Sequence, residues 1–103
     1  MALPEMSDEQ RRQALAKAGE ARRTRAELKE LLRTGTLTLG EVLQRADGDD
    51  IVAGTKVAAL LQSLPGLGKV KAKRTMEELG IAENRTIRGL GTNQRAQLLD
   101  RFG

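Results

Sequence analysis

The sequence predicts an all-α fold, in which a long N-terminal helix precedes a compact domain of about four short helices. Two capping boxes stand before apolar residues at helical spacing. Glycines and a proline divide the rest of the chain into short segments, and no segment alternates with the period of two that a strand requires. A chain of 103 residues has the size of one domain. We therefore expect a helix at 1–34 and a domain at 35–103 that together form one folding unit.

The first predicted helix, Asp8–Arg33, begins at the capping box Ser7-Asp8-Glu9-Gln10. It consists of good helix formers, and Gly19 costs about 1 kcal/mol relative to Ala. Because the large apolar residues, Leu28 and Leu32, stand in its second half, we expect the first half to project from the domain. The full apolar stripe is Ala14, Ala18, Ala21, Leu28 and Leu32.

A second helix follows Gly35, because Thr38-Leu39-Gly40-Glu41 is another capping box. Residues 47–50, Asp47-Gly48-Asp49-Asp50, are predicted to form a turn, and Ile51 stands where a calcium loop needs its third acid. A third helix is predicted at 55–63. The residues expected to face the core from these two helices are Leu39, Val42, Leu43, Ala46, Val57, Leu60, Leu61 and Leu64.

The composition excludes several classes of function. Without Cys or His, the chain has no thiol nucleophile, no Cys/His zinc site and no imidazole base. With a single Phe and no Trp or Tyr, it has no aromatic surface on which unpaired bases stack. No apolar run approaches the length of a membrane span, and residues 1–6 do not resemble a signal peptide. We expect a cytoplasmic protein that is not an enzyme, with no metal, no cofactor and no membrane contact.

Residues 64–76 differ from the rest of the chain in charge. They contain four cationic residues and no acid, so their charge of +4 equals the net charge of the whole chain. Pro65 ends the preceding helix, and Gly66 and Gly68 permit a tight hairpin. The next helix then begins near Gly68, where unpaired backbone N–H groups favour a phosphate. The candidate contact residues are Leu64, Pro65, Gly66, Leu67, Gly68, Lys69, Val70, Lys71, Lys73 and Arg74.

Two other phosphate-binding loops do not fit this segment. A dinucleotide fingerprint follows a strand and has a third glycine where Lys71 stands, and a Walker A loop has Ser or Thr where Val70 stands. A helix–hairpin–helix that grips a nucleic-acid phosphate fits the pattern. An ordinary Pro-Gly turn with solvated lysines is the alternative.

A second basic element follows Gly80, which ends the fourth predicted helix with its apolar residues Val70, Met76 and Leu79. Thr92 is predicted to cap a last helix whose inward residues are Leu98, Leu99 and Phe102. The candidate contact residues of this second basic element are Arg85, Arg88, Gly89, Gly91, Thr92, Asn93 and Gln94. On one face of the first helix, Arg22, Arg25 and Lys29 form either a basic arm along a duplex or a solvated face.

The chain resembles the actinobacterial integration host factor family almost from end to end. The similar segments are Met1-Ala2-Leu3-Pro4, Arg22-Arg23-x-Arg25-Ala26-Glu27, Lys56-Val57-x-Ala59-Leu60-Leu61, the hairpin from Leu64 to Val70, and Arg88-Gly89-Leu90-Gly91. The resemblance implies a helix–two-turns–helix domain and a nucleoid-associated protein that binds and shapes double-stranded DNA with little sequence preference. It also implies a role in phage integration within an integrase–DNA complex, with the hairpin at 64–71 and a lid-like segment at about 82–94 as DNA contacts.

We therefore predict a monomeric architectural protein that contacts mostly DNA phosphates. An RNA-binding or ribosome-associated protein with a similar hairpin is the main alternative. Base-excision glycosylases contain a related domain, but they need an N-terminal catalytic proline and a zinc finger, whereas Pro4 is internal and Cys is absent. A helical adaptor protein that binds no nucleic acid is the remaining alternative.

Overall fold

Capping interactions define the start of the long first helix. In the computed structural model of the chain, which describes residues 7–103, α1 spans Asp8–Arg33. The Gln10 N–H donates to the Ser7 hydroxyl at 3.1 Å, and the Ser7 N–H donates to the Gln10 side chain at 3.0 Å. The predicted capping box and helix bounds are therefore confirmed. The Met1–Pro4 segment and the remainder of residues 1–6, on which the signal-peptide prediction rests, lie outside the described residues.

Five further α-helices and a 3₁₀ turn follow α1 in the described part of the chain. They are α2 Leu39–Ala46, α3 Asp50–Ala53, α4 Val57–Ser63, α5 Gly68–Leu79, the 3₁₀ turn Ile87–Gly89 and α6 Thr92–Phe102. Residues 7–103 contain no strand, only an isolated antiparallel bridge between Lys56 and Thr86, so the all-α prediction is confirmed. No helix in this range combines the length and the apolar character needed to cross a membrane.

The core is built around α4, which packs against both α1 and α5. Its side chains Val57, Leu60 and Leu61 are fully buried, and each such burial contributes about 1.5–3 kcal/mol. That burial stabilises a helix of only seven residues that no side chain caps. From α1, Leu28 and Leu32 are buried in the same core, whereas residues 8–18 are exposed along their whole length. The division into 1–34 and 35–103 stays a prediction.

The acidic segment 47–50 was predicted as a turn, but α3 begins within it at Asp50. The reason is local: the Asp49 carboxylate accepts the N–H groups of Ile51 and Val52 at 2.9 and 3.3 Å and so caps a short helix. The domain after α1 therefore contains five short α-helices, against a prediction of about four. The helix predicted at 55–63 begins at Val57 instead, because the backbone before it is engaged in the bridge to Thr86.

Two apolar side chains of α5 and α6 are exposed, and one of them, Leu99, was predicted to face inward. Val70 is 74% exposed, because the buried residues of α5 are Ala72, Thr75 and Met76, a stripe at helical spacing that leaves Val70 on the outer face. Leu99 is 38% exposed, whereas its neighbour Leu98 is fully buried. Successive residues of a helix are 100° apart, so only one of two neighbours points directly into the core.

Candidate nucleic-acid interface

The hairpin between α4 and α5 has the conformation that its glycines predict. Gly66 and Gly68 have φ of +75° and +69°, values that side chains other than glycine rarely adopt. The Leu67 N–H donates to the Leu64 carbonyl at 3.2 Å, and both leucines pack against the core. A Cβ built on either glycine would meet nothing within 4 Å. The hairpin is therefore anchored by its leucines and leaves open space in front of its glycine backbone.

The N-terminus of α5 opens onto this space, and no side chain caps it. The N–H groups of its first turn have no partner inside the helix, and they carry the positive end of the helix dipole. The exposed residues on and beside this turn are Pro65, Gly66, Gly68, Lys69, Val70, Lys71, Lys73 and Arg74, and Leu64 and Leu67 are half-buried. One acid approaches them, since Glu83 Oε1 lies 3.8 Å from Lys73 Nζ.

An open groove of about 530 Å³ lies on the surface between α4 and α5. Three lysines line it, Lys56, Lys69 and Lys73, together with Glu83 and an apolar floor that includes Met76. Lys69 belongs to the hairpin and Lys56 to the other end of α4, so the groove connects the two ends of this helix. Lys56 was not among the predicted contact residues. It stands alone between an alanine-rich helix and a threonine, without the run of like charges that identified the hairpin.

The segment 82–94, here called the lid, is fixed to the start of α4 by backbone hydrogen bonds. The Val57 N–H donates to the Arg85 carbonyl at 3.0 Å, and the Ile87 N–H donates to the Thr55 carbonyl at 3.1 Å. The Ile87 side chain is buried. The lid therefore stands at one end of α4 and the hairpin at the other, about 10 Å apart along a helix of seven residues.

The two lid arginines are held in different ways. Arg85 folds over Gly89: its Nη1 donates to the Gly89 carbonyl at 2.7 Å, and a Cβ on Gly89 would stand 2.7 Å from Arg85 Cδ. Gly89 is therefore needed for this close approach. Arg88 Nη2 instead donates to Asp50 Oδ1 of α3 at 3.0 Å.

At the start of α6 the cap differs from the prediction. Gly91, and not Thr92, is the N-cap residue, because the Gln94 side chain reaches back and accepts the Gly91 N–H at 3.0 Å. The other end of the Gln94 amide donates to the Gly80 carbonyl at 2.9 Å. The Gln94 oxygen therefore caps α6 and the Gln94 nitrogen ties the lid to the end of α5, while Thr92 and Asn93 are exposed on the first turn of α6.

Arg95 connects α6 to the end of α2. Its two Nη atoms donate to the two carboxylate oxygens of Asp47 at 3.0 and 3.1 Å, and Nη2 also donates to the Leu43 carbonyl at 2.9 Å. The hydrogen bond from Arg95 lowers the pKa of the Asp47 carboxyl below its ordinary value. In this bidentate geometry Arg95 serves the fold and is not available to a ligand.

On α1, two of the three predicted arm residues line a second, smaller cavity. This cavity of about 220 Å³ lies between α1 and the start of α4, and Arg25, Lys29 and Lys56 bring their charges to it with no acid among its lining residues. Arg25 is half-buried, with Nη2 3.5 Å from the Gly54 carbonyl and a buried Nε that has no hydrogen-bond partner. Arg22 is exposed one turn earlier, with Nε 3.5 Å from the Ala18 carbonyl. Lys56 lines both this cavity and the groove.

Comparison with known proteins identifies the family of the chain. The S13-like H2TH domain family matches residues 32–102. Integration host factor of Mycobacterium tuberculosis (strain ATCC 25618 / H37Rv) is 53% identical over 103 residues, which cover 100% of this chain and 98% of that protein. Integration host factor of Streptomyces coelicolor (strain ATCC BAA-471 / A3(2) / M145) is 52% identical over 103 residues, 100% of this chain and 96% of that protein.

The chain belongs to the integration host factor family. Among solved structures, that of sIHF bound to an 8bp palindromic DNA has a TM-score of 0.82 and 51% identity to this chain, and covers 85% of this chain and 99% of that one. The predicted resemblance and the helix–two-turns–helix fold are therefore confirmed. For this integration host factor family member, the structure brings the hairpin, the groove and the lid together around α4. In residues 7–103 no cluster of acidic residues is placed to hold a metal ion.

Proposed function

We propose that this chain binds double-stranded DNA through the phosphate backbone with low sequence specificity. It acts as a nucleoid-associated architectural protein that shapes DNA and assists recombination and integration. The observation that carries the proposal is the hairpin, which contains no acid and leads into α5. No side chain caps the N-terminus of α5, and exposed lysines flank it. The family of the chain and its likeness to a structure of sIHF bound to DNA support the same function.

The chemistry of the hairpin favours phosphates over base edges. Lysine is a compact point charge, and exposed backbone N–H groups at a helix start bind phosphate oxygens without reading sequence. Base reading in the major groove relies on Arg, Asn or Gln side chains presented together by one helix. The exposed start of α5 presents Lys69, Val70 and Lys71 instead. Any sequence preference would then come from the shape and deformability of the duplex.

In this proposal the lid makes the second contact through Arg85, Arg88 and the exposed start of α6 at Thr92 and Asn93. Gly89 permits the close approach of the Arg85 side chain. Gln94 positions the lid through its hydrogen bonds with Gly91 and Gly80. The basic face of α1, with Arg22, Arg25 and Lys29, makes a third contact. Lys56 connects this face to the groove, because it lines both cavities.

The cellular setting follows from the same reasoning. We propose a monomer in the cytoplasm, located at the nucleoid, that takes part in a phage integrase–DNA complex and catalyses no reaction itself. Residues 35–103 would hold the main DNA contacts, and 1–34 would add the arm.

A charge placed in the hairpin tests the proposal. Gly68→Asp puts a carboxylate at the start of α5, and Gly35→Asp is its matched control: both glycines have φ near +70°, at +69° and +76°, and a Cβ added to either would meet no atom within 4 Å. Strain and charge change are therefore alike, and only the location differs. We expect Gly68→Asp to weaken binding to two unrelated duplexes equally in fluorescence anisotropy, and Gly35→Asp to have a much smaller effect.

Two outcomes would contradict the proposal. Equal losses in both variants would mean that the hairpin is not the contact surface, and a loss on one duplex only would indicate base reading. A structured RNA in competition with duplex DNA separates the RNA-binding alternative, since RNA should compete no better than its charge explains.

A further inference from the structure

The ion pair between Arg88 and Asp50 joins an arginine, which DNA phosphates attract, to a carboxylate, which they repel. Arg88 Nη2 lies 3.0 Å from Asp50 Oδ1, and the two residues are 38 positions apart in sequence. Their side chains are 61% and 101% exposed. An exposed pair with one short contact is screened by water and contributes little to the stability of a protein.

The lid does not depend on this pair for its place. Ile87, next to Arg88, is buried in the core, and backbone hydrogen bonds join the lid to the start of α4 on either side of Thr86. Gln94 and Arg95 fix the start of α6 through the Gly80 carbonyl and the Asp47 carboxylate. Arg88 is therefore free to exchange partners while the lid remains where it is.

The Asp50 carboxylate offers the Arg88 guanidinium the same chemistry as a DNA phosphate, a charged oxygen that accepts a hydrogen bond from the guanidinium. Asp50 is the first residue of α3, so its position is set by the Asp49 cap and not by Arg88. The backbone position of Asp50 therefore does not depend on whether Arg88 holds its carboxylate.

We propose that Asp50 is an internal competitor for Arg88: its carboxylate occupies the guanidinium in the free protein, and a DNA phosphate displaces it on binding. This inference rests on the proposed function, because it concerns the strength of DNA binding through the lid. Asp50 lowers the affinity of the lid without altering the hairpin contact. The acidic turn thereby limits how tightly the protein holds a duplex.

A double-mutant cycle on the full chain tests this proposal. Asp50→Asn keeps the size of the side chain and removes its charge, Arg88→Gln removes the guanidinium, and the double variant completes the cycle. Asp100→Asn removes an exposed carboxylate from α6 and controls for the general effect of net charge on DNA binding. Dissociation constants for one duplex are measured by anisotropy at low salt, and melting temperatures verify that each variant is folded.

We expect Asp50→Asn to tighten binding by about 1.5- to fivefold, the range that an exposed ion pair of this kind supports, and to do so only when Arg88 is present. An equal gain in the Arg88→Gln background, or an equal gain from Asp100→Asn, would reduce the effect to net charge and overturn the proposal. Weaker binding by Asp50→Asn would also overturn it, because Asp50 would then be orienting Arg88 toward DNA. If the wild-type chain binds no duplex, the proposed function fails first; if it binds and the cycle shows no coupling, only this inference fails.

Discussion

Replacing Lys69 by Gln tests whether the hairpin holds DNA by its phosphates. Lys69 is exposed at the start of α5 and lines the groove between α4 and α5. Gln has a similar length and helix propensity but no charge, so the fold is preserved while one cation is lost. The same substitution at Lys17, which is exposed on the projecting half of α1, is the matched control.

The magnitude follows from counterion release. The hairpin offers Lys69, Lys71, Lys73 and Arg74, with Lys73 shared with Glu83, and the lid adds Arg85 and Arg88. About four to six phosphate contacts give a slope of log K against log salt of roughly −3.6 to −5.4. Losing one contact should make the slope less steep by about 0.9. Between about 50 and 200 mM salt, the ratio of wild-type to variant affinity should then fall by about 3.5-fold.

The assay is a salt titration of the dissociation constant by anisotropy on two unrelated duplexes. We expect the Lys69→Gln slope to be less steep than the wild-type slope on both duplexes, and the Lys17→Gln slope to equal it. If Lys69→Gln weakens binding with an unchanged slope, the lost contact is not ionic and the phosphate mechanism is refuted. An affinity that does not depend on salt would refute it for the whole protein.

One further prediction concerns the lid, and another concerns the ion pair between Arg95 of α6 and Asp47 at the end of α2. Gly89→Ala places a Cβ 2.7 Å from Arg85 Cδ and displaces the arginine, so DNA binding should weaken by a few fold with little change in melting temperature. Gly48→Ala, whose Cβ would meet no atom within 4 Å, should leave DNA binding unchanged. Asp47→Asn should make the melting temperature less sensitive to acid: Arg95 lowers the pKa of Asp47 in the folded state, so the pair stabilises the fold above about pH 4 and loses this effect as the pH falls further. An equal acid response of wild type and variant, measured by thermal unfolding, would contradict that role for the pair.

Interactions between residues near in sequence were the ones that could be predicted. The bounds of α1 follow from Ser7 and Gln10, three residues apart, whose side chains satisfy each other's backbone. Gly80 ends α5 with φ +69°, as a residue that tolerates this conformation does. The cap of α3 by Asp49 is equally local but was not predicted. A helix of four residues is too short to show a periodic pattern of apolar residues, and the acidic residues before it are also typical of a turn.

The partners of the cations could not be predicted from the residues near them in sequence. Arg88 and Asp50 are 38 residues apart, and Arg95 and Asp47 are 48 apart, so no periodicity indicated that one arginine holds a carboxylate loosely and the other holds one by two hydrogen bonds. Lys56 becomes part of a basic surface only because α4 packs between α1 and α5.

The sequence by itself determined that this protein is helical, that its positive charge is concentrated at 64–76, and that the glycines there open a helix N-terminus. These are properties of residues within one or two turns of each other, where backbone conformation and capping decide the outcome. Only the tertiary structure decided which cations remain available to a ligand, because burial of α4 brings the hairpin, the lid and α1 together. An ion pair forms between whichever charges the packed core places side by side, however distant they are along the chain.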